Sequence, residues 1–512
     1  MDRKKVALVT LVGLLVVVLV VGAALGIYSL AVIYGTTTIT LDESKTYQTM
    51  EGFGASSAWT YQALGAIDDE EVKEQAMEML YGDSGLKLDT FRYNIGGGGA
   101  EVSGYPDPLR GAQSYFVAEN FKGDYSVFKD ADNYDFTRDE GVRELFELAL
   151  SKGNIKRVVF FANSPHYTMT VSGKTHGAVE QQNNLKEECY EAFSDYLMVI
   201  TDYLYENIIC KYDENIQVII SPVNEPQWDW GGENATQEGC HYEPEELAKF
   251  YQQFYTTLNA YNTANGTSFV MDIFESGNYK FIGDSGTRFD KYMKAFAEYP
   301  FFESIDNISV HSYGTDTDKL LRTLFDNYMN RKYPDLKVSV TEYCVLEGGI
   351  DKSMDMGLYS AQVIMRDLTM IDAVSWNYWL SVSVYDYEDG LVNWNMNAAD
   401  GEESLSAEKR YYAMGHFSKF VEAGSVRIDA SYSDTLGFNG VECVAFKKTD
   451  GSIALVVIND SSRSHKINIE GGYANVTEIL TTEEENWKTS EYENAGSVTI
   501  PTNSIATYIF TK

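Results

Sequence analysis

The sequence predicts an α/β protein: a (β/α)8 TIM barrel with a β-sandwich domain at its side, preceded by an N-terminal transmembrane anchor. Three observations predict it. Apolar strand-like runs alternate with segments of helical spacing across residues 48–423, short alternating runs without helical spacing follow from residue 424, and an uncharged apolar stretch opens the chain.

In chain order, Arg3, Lys4 and Lys5 precede an apolar run over 6–34, and no charge appears until Asp42. A cleaved signal peptide has an apolar region of roughly 7–15 residues, whereas a run this long crosses a bilayer as a helix. Residues 1–35 are therefore read as a cytoplasmic tip and a signal anchor. Basic residues before the span and acidic ones after it place the rest of the chain on the extracellular face of the membrane. Ala23 and Ala24 keep cleavage open, which would release a secreted protein. Residues 36–47 read as a strand that joins the β-sandwich.

The barrel is assigned to 48–423. Strand-like runs fall at 49–55, 88–93, 157–162, 217–223, 269–275, 308–312, 337–341 and 373–378. Helix-period segments lie between them, as where Cys189, Phe193, Tyr196, Leu197, Ile200 and Leu204 form one apolar stripe. From 424 to 512 the runs 441–447, 453–458, 465–469, 476–480, 497–500 and 506–510 predict an antiparallel sandwich.

Composition narrows the function classes. The 512 residues carry a formal net charge of -36, which repels phosphate backbones and excludes nucleic acid as a partner. Five cysteines without a CxxC pair do not make a disulfide scaffold, although one bridge fits an exported chain. The six histidines form no HxxxH or HxH pair, so neither metal nor cofactor is expected. Gly96 to Gly99 lacks the Lys-Ser/Thr of a phosphate loop and reads as a close-approach loop at a substrate rim.

In such a barrel, chemistry sits at the C-terminal ends of the strands. Glu225 closes the run Val218-Ile219-Ile220-Ser221-Pro222-Val223-Asn224-Glu225 on strand four, and Glu342 closes Val338-Ser339-Val340-Thr341-Glu342 on strand seven. These strands face each other across the barrel. Cleaving a glycosidic bond with retention needs two carboxyl groups about 5–5.5 Å apart, one attacking the anomeric carbon and one protonating the departing oxygen. Glu342 is the expected nucleophile and Glu225 the acid/base. Other strand ends supply candidate substrate-binding residues. Asn224 stands beside the acid, Arg92 is placed to keep the nucleophile ionised, and Asn163 ends strand three. His311 and Tyr313 end strand six, and Trp376 or Trp379 at the end of strand eight offers an aromatic floor.

With these residues in view, the chain after the anchor resembles glycoside hydrolase family 30. The matching pieces are Gly52-Phe53-Gly54-Ala55-Ser56, Arg92-Tyr93-Asn94-Ile95-Gly96-Gly97-Gly98, Ala162-Asn163-Ser164-Pro165, Asn224-Glu225-Pro226, Gln237-Glu238-Gly239-Cys240 and Thr341-Glu342-Tyr343. The resemblance implies a retaining enzyme with a barrel and a side-on β-sandwich, and it places the acid/base on Glu225 and the nucleophile on Glu342. Asn-Glu-Pro followed by Gln-Glu-Gly-Cys is most similar to the endo-β-1,6-galactanase branch, from which His166-Tyr167 departs. The loop after strand eight holds Asp386, Glu388 and Asp389 without Arg or Lys, so a neutral glycan is the expected substrate. Alternatives are the same chemistry on β-1,6-glucan or β-xylan, or a surface glycan-binding protein without turnover.

Overall fold

The computed structural model describes residues 12, 14–23, 26 and 36–511, apart from 178–181, 281–287, 316–317, 347, 399–403, 434–438, 471–474 and 494–495. Contacts divide the chain into two compact units, 48–425 and 1–47 with 426–512.

The larger unit is built on β2 (Gly52–Ser56), β3 (Thr90–Asn94), β4 (Arg157–Phe161), β5 (Gln217–Ser221), β6 (Val270–Met271), β7 (Asn307–His311), β8 (Lys337–Glu342) and β9 (Ser375–Ser383). Neighbours pair in parallel from β2 to β6 and from β7 to β9, and β9 pairs back onto β2. These strands are buried almost throughout, as parallel strands covered on both faces must be, which is why they read as continuous apolar runs. The fifth strand is much shorter than the predicted 269–275. Phe274 (φ 82°) and Glu275 (φ 45°) turn left-handed and end the ladder after Met271. The seam to β7 is held by a bridge between Ser276 and Val310, with Ser309 N–H donating to Ile273 O at 3.0 Å and His311 N–H to Ser276 O at 2.7 Å.

Between strands, amphipathic helices cover the sheet. In Tyr190–Asn207 the stripe foreseen at Phe193, Tyr196, Leu197, Ile200 and Leu204 is buried. Pro244–Asn265 begins with Pro at its first turn and ends on Gly266 in the left-handed conformation, which closes the last turn without a Cβ clash. Beyond β9, β10 (Gly390–Trp394) and β11 (Leu405–Ala407) extend the sheet past the predicted eight.

The smaller unit is a nine-stranded sheet among the described residues. It combines β1 (Thr37–Thr49) with β12 (Val426–Tyr432), β13 (Val441–Lys447), β14 (Ile453–Asn459), β15 (His465–Glu470), β16 (Asn475–Thr481), β17 (Lys488–Glu493), β18 (Ser497–Ile500) and β19 (Ser504–Thr511). β1 pairs in parallel with β15, with Thr37 opposite Ile467, so a segment before the barrel completes a sheet formed after it. Ile39, Ile428, Leu455, Ile467 and Tyr508 share its apolar core.

Most of the predicted anchor, 1–35, lies outside the described residues. Its described part is helical over 14–23 with exposed Leu and Val side chains, and no helix among the described residues is long and apolar enough to cross a membrane. The bridge foreseen among the cysteines does not form: all five are free thiols.

Candidate active site

β3, β5, β7 and β8 each deliver a buried polar side chain to one end of the barrel. Arg92, fully buried on β3, is the hub. Its Nη1 donates to Glu342 Oε2 at 2.9 Å and its Nη2 to Asn224 Oδ1 at 3.0 Å, while Nη2 also lies 3.3 Å from Glu275 Oε1. The guanidinium stacks on Phe161, 3.7 Å from the ring centroid. A planar fork with five donors suits this placement better than an ammonium.

Glu225 and Glu342 meet at this hub. One oxygen of each lies within 4.8 Å of the other and of a ring nitrogen of His311. That separation matches the short spacing of retaining glycosidases rather than the roughly 6.5–9.5 Å that leaves room for water in inverting ones. Tyr313 donates its hydroxyl to Glu342 Oε1 at 2.9 Å. Burial raises the Glu342 carboxyl above its ordinary value and the charges of Glu225 and Glu275 add to this, while His311 and Arg92 pull it down.

His311 sits fully buried between two carboxylates, with Nδ1 2.9 Å from Glu225 Oε1 and Nε2 3.0 Å from Glu275 Oε2. Burial alone would lower its pKa, but Glu342, Glu225 and Glu275 raise it to about 10. Both ring nitrogens thus face carboxylate oxygens, and Glu225, His311 and Glu342 form one ion network.

Glu275 was missed as a site residue because it falls at the end of an ordinary strand-like run. It accepts from Ser221 Oγ at 2.8 Å and from Thr341 Oγ1, and Arg92 and His311 hold it down to about 2 against the upward push of burial. With Glu342 and Glu225 it is one of three carboxylates that raise the His311 pKa.

The backbone adapts to this cluster. Glu225 takes φ 44°, a left-handed conformation uncommon for a side-chain-bearing residue, and its N–H donates to Glu275 O at 2.9 Å. Gly277 is essential space: a Cβ there would stand 2.6 Å from Trp228 Nε1 and 2.7 Å from Glu225 Oε1. Gly277→Ala should keep the fold but displace the Glu225 carboxyl, lowering kcat by about 100-fold in steady-state assays, since misplacement near 1 Å costs that order.

A cleft of about 690 Å3 opens over the pair, lined among others by Trp59, Arg110, Trp228, Trp230, Trp379 and Asp389. Asn224, Tyr313 and Trp379 reach this lining. Trp376 does not: it is fully buried with its indole N–H on Asp367 Oδ2 at 3.0 Å. Asn163 is buried and donates to Asn94 Oδ1 at 3.4 Å. His166 packs its ring 5.4 Å from those of Phe116 and Phe128, inside an aromatic cluster.

The Gly96–Gly99 loop is not a rim. Its four residues are buried, and Gly97 and Gly99 N–H groups donate to Glu238 at 3.4 and 2.8 Å. A Cβ on Gly239 would stand 2.1 Å from the Trp230 ring, so this glycine admits the Trp230 side chain. Gln237-Glu238-Gly239 thus ties the glycine loop to the Trp230 side of the cleft. Burial raises Glu238 to about 8 from an ordinary 4.5. An acid raised on folding contributes stability that is full below pH 4.5 and is lost as pH rises through about 8. Glu238→Gln should therefore melt at least about 2 °C above the parent at pH 8.5 and lose that advantage near pH 5, measured by calorimetry.

Of the acidic residues after strand eight, Asp386 and Asp389 line the cleft, whereas Glu388 is buried in an ion pair with Arg410 at 2.6 Å; Arg110, from a loop distant in sequence, also enters the cleft.

Comparisons with known proteins bear on the family and the fold. The model of O-Glycosyl hydrolase family 30 matches residues 36–393, and that of the glycosyl hydrolase family 30 beta sandwich domain matches 424–508. An endo-β-1,6-galactanase of Hypocrea rufa is 23% identical over 412 residues, covering 76% of this chain and 75% of the relative. The catalytic domain of a GH30 xylanase C from Talaromyces cellulolyticus superposes with a TM-score of 0.68 at 20% identity, over 93% of this chain and all of that one. A solved endo-β1,6-glucanase gives 0.64 at 19% identity, over 93% and 94% of the two chains. Likenesses at this identity show a shared fold.

Proposed function

The chain belongs to glycoside hydrolase family 30, and on that premise we propose that it is a retaining endo-β-1,6-galactanase acting on a neutral β-linked glycan. The observation that carries the retaining reading is the approach of Glu225 and Glu342 within 4.8 Å around one protonated histidine.

In the first step Glu342 attacks the anomeric carbon, the bond to the leaving oxygen breaks, and the proton of Glu225 passes to that oxygen. A glycosyl ester on Glu342 results. In the second step the Glu225 carboxylate takes a proton from water, the water oxygen attacks the same carbon, and the ester bond returns its electrons to Glu342. Two inversions give net retention. Arg92 and Tyr313 hold Glu342 in place for attack, and His311 fixes the Glu225 carboxyl facing it. No cofactor enters.

The β-1,6-galactan assignment is supported by the Hypocrea rufa relative and by the run Gln237-Glu238-Gly239-Cys240. Digesting β-1,6-galactan, β-1,6-glucan and β-xylan side by side and sizing the products tests it. Fastest release from galactan, as a ladder of oligomers, is expected. Preference for glucan or xylan overturns the substrate, and binding without product overturns turnover itself. The apolar stretch over 6–34 supports export, with the barrel outside the membrane.

A further inference from the structure

We infer that Asp389 and Arg110 form a selective subsite for the glycone, the sugar ring that Glu342 attacks, and that this subsite takes a neutral ring through two hydroxyls. One hydroxyl donates to Asp389 and another accepts from Arg110. The inference rests on the retaining reading above.

Asp389 lines the cleft and is 5% exposed, yet its Oδ1 has no hydrogen-bond partner among the described residues. Buried carboxylate oxygens are nearly always paired, so a cleft-lining carboxylate left short of a partner is a natural acceptor for a ligand hydroxyl. Arg110 shows the complementary gap: its Nε is shielded from solvent and has no partner among the described residues. Its guanidinium is held by aromatic faces, 4.8 Å from the Trp59 centroid and 5.1 Å from that of Tyr385. An under-paired acceptor residue and an under-paired donor residue therefore line the same cleft beside these aromatic rings.

The position of that wall assigns the ring it contacts. Trp59 packs edge-on against Trp379 at 5.2 Å, and Trp379 lies 5.9 Å from the Arg92 guanidinium that bonds Glu342. Cys344, two residues beyond Glu342, shares that lining. On the other side, Trp230 donates to Glu225 O at 3.2 Å, and Trp228 shares the space above Gly277 with the Glu225 carboxyl. The attacked ring lies toward Glu342 and the leaving group toward Glu225, so Asp389 and Arg110 face the glycone. Among the described residues Arg110 is the only cation in a lining that also holds Glu225, Glu342, Asp386 and Asp389. A uronate ring would bring its carboxylate against Asp389, whereas a neutral sugar satisfies both partners.

The test uses the full chain and 4-nitrophenyl β-glycosides of galactose, glucose and glucuronic acid, together with a monodeoxy series of the best neutral glycoside. The isosteric Asp389→Asn should lower kcat/KM on that glycoside by about 10- to 100-fold, the worth of a hydrogen bond to a charged group. It should also raise the ratio of glucuronide to neutral hydrolysis. One monodeoxy glycoside should be poor for the parent and lose nothing more in the variant. Arg110→Gln should show the same pattern with a different deoxy position. An unchanged substrate ratio in both variants, or equal tolerance of every deoxy sugar by the parent, overturns the subsite while leaving the retaining reading intact. If the parent turns over no β-glycoside or β-glycan, both readings fall together.

Discussion

Glu342→Gln is expected to abolish turnover, with kcat/KM on the best glycan lower by about 10^4-fold or more. The amide keeps the shape of the carboxylate but is a poor nucleophile, so the glycosyl ester does not form. The fold should survive, because Arg92 keeps Asn224 and Glu275 as partners and Tyr313 still finds the amide oxygen. Far-ultraviolet circular dichroism and melting should therefore resemble the parent while product release stops. Intact-mass measurement with a slow 2-deoxy-2-fluoro glycoside adds the mechanism: the parent gains one glycosyl unit and the variant none. Full activity in Glu342→Gln would sink the assignment.

Glu225→Ala should divide substrates by leaving group. Departure of a sugar alkoxide needs the proton of Glu225, and loss of general acid catalysis should cost about 10^2- to 10^4-fold on glycans. Aryl glycosides with acidic phenols leave unaided, so the ester on Glu342 should accumulate and its hydrolysis become limiting. Azide, small enough for the vacated space, should restore turnover and yield a β-glycosyl azide by attack from the face that water uses. An α-azide would show that the vacated face is not where the second displacement occurs. Removing Glu225 also deprives His311 Nδ1 of its closest partner at 2.9 Å, so the His311 pKa, followed by NMR titration, should move down. The carboxylates of Glu342 and Glu225 are among those that raise His311 to about 10, and taking one away lowers that value.

Why the two carboxylates were legible and their supports were not follows from the strands that carry them. β5 and β8 are buried after their first residue, so their apolar runs stand out and the first acid that follows each run is conspicuous. Glu275 follows a strand of only two residues and a left-handed turn, and nothing in its own sequence separates it from a strand interior. Arg110 and Asp389 come from connections whose course is set by packing, beyond the reach of periodicity. The tryptophans of β9 were separable in principle. Successive strand residues point to opposite faces, so Trp376 and Trp379, three apart, diverge: one meets Asp367 and the other the cleft. The glycine loop misled because a close approach was expected from a sugar, whereas Glu238 and Pro165 make it.

The left-handed backbone at Glu225 sets protein stability against chemistry at a single position. Glycine would adopt φ 44° without the cost borne by a residue with a Cβ, but it would leave His311 Nδ1 without its carboxylate partner. On the proposed mechanism, the residue that would relax this backbone is also one that cannot pass a proton to the leaving oxygen.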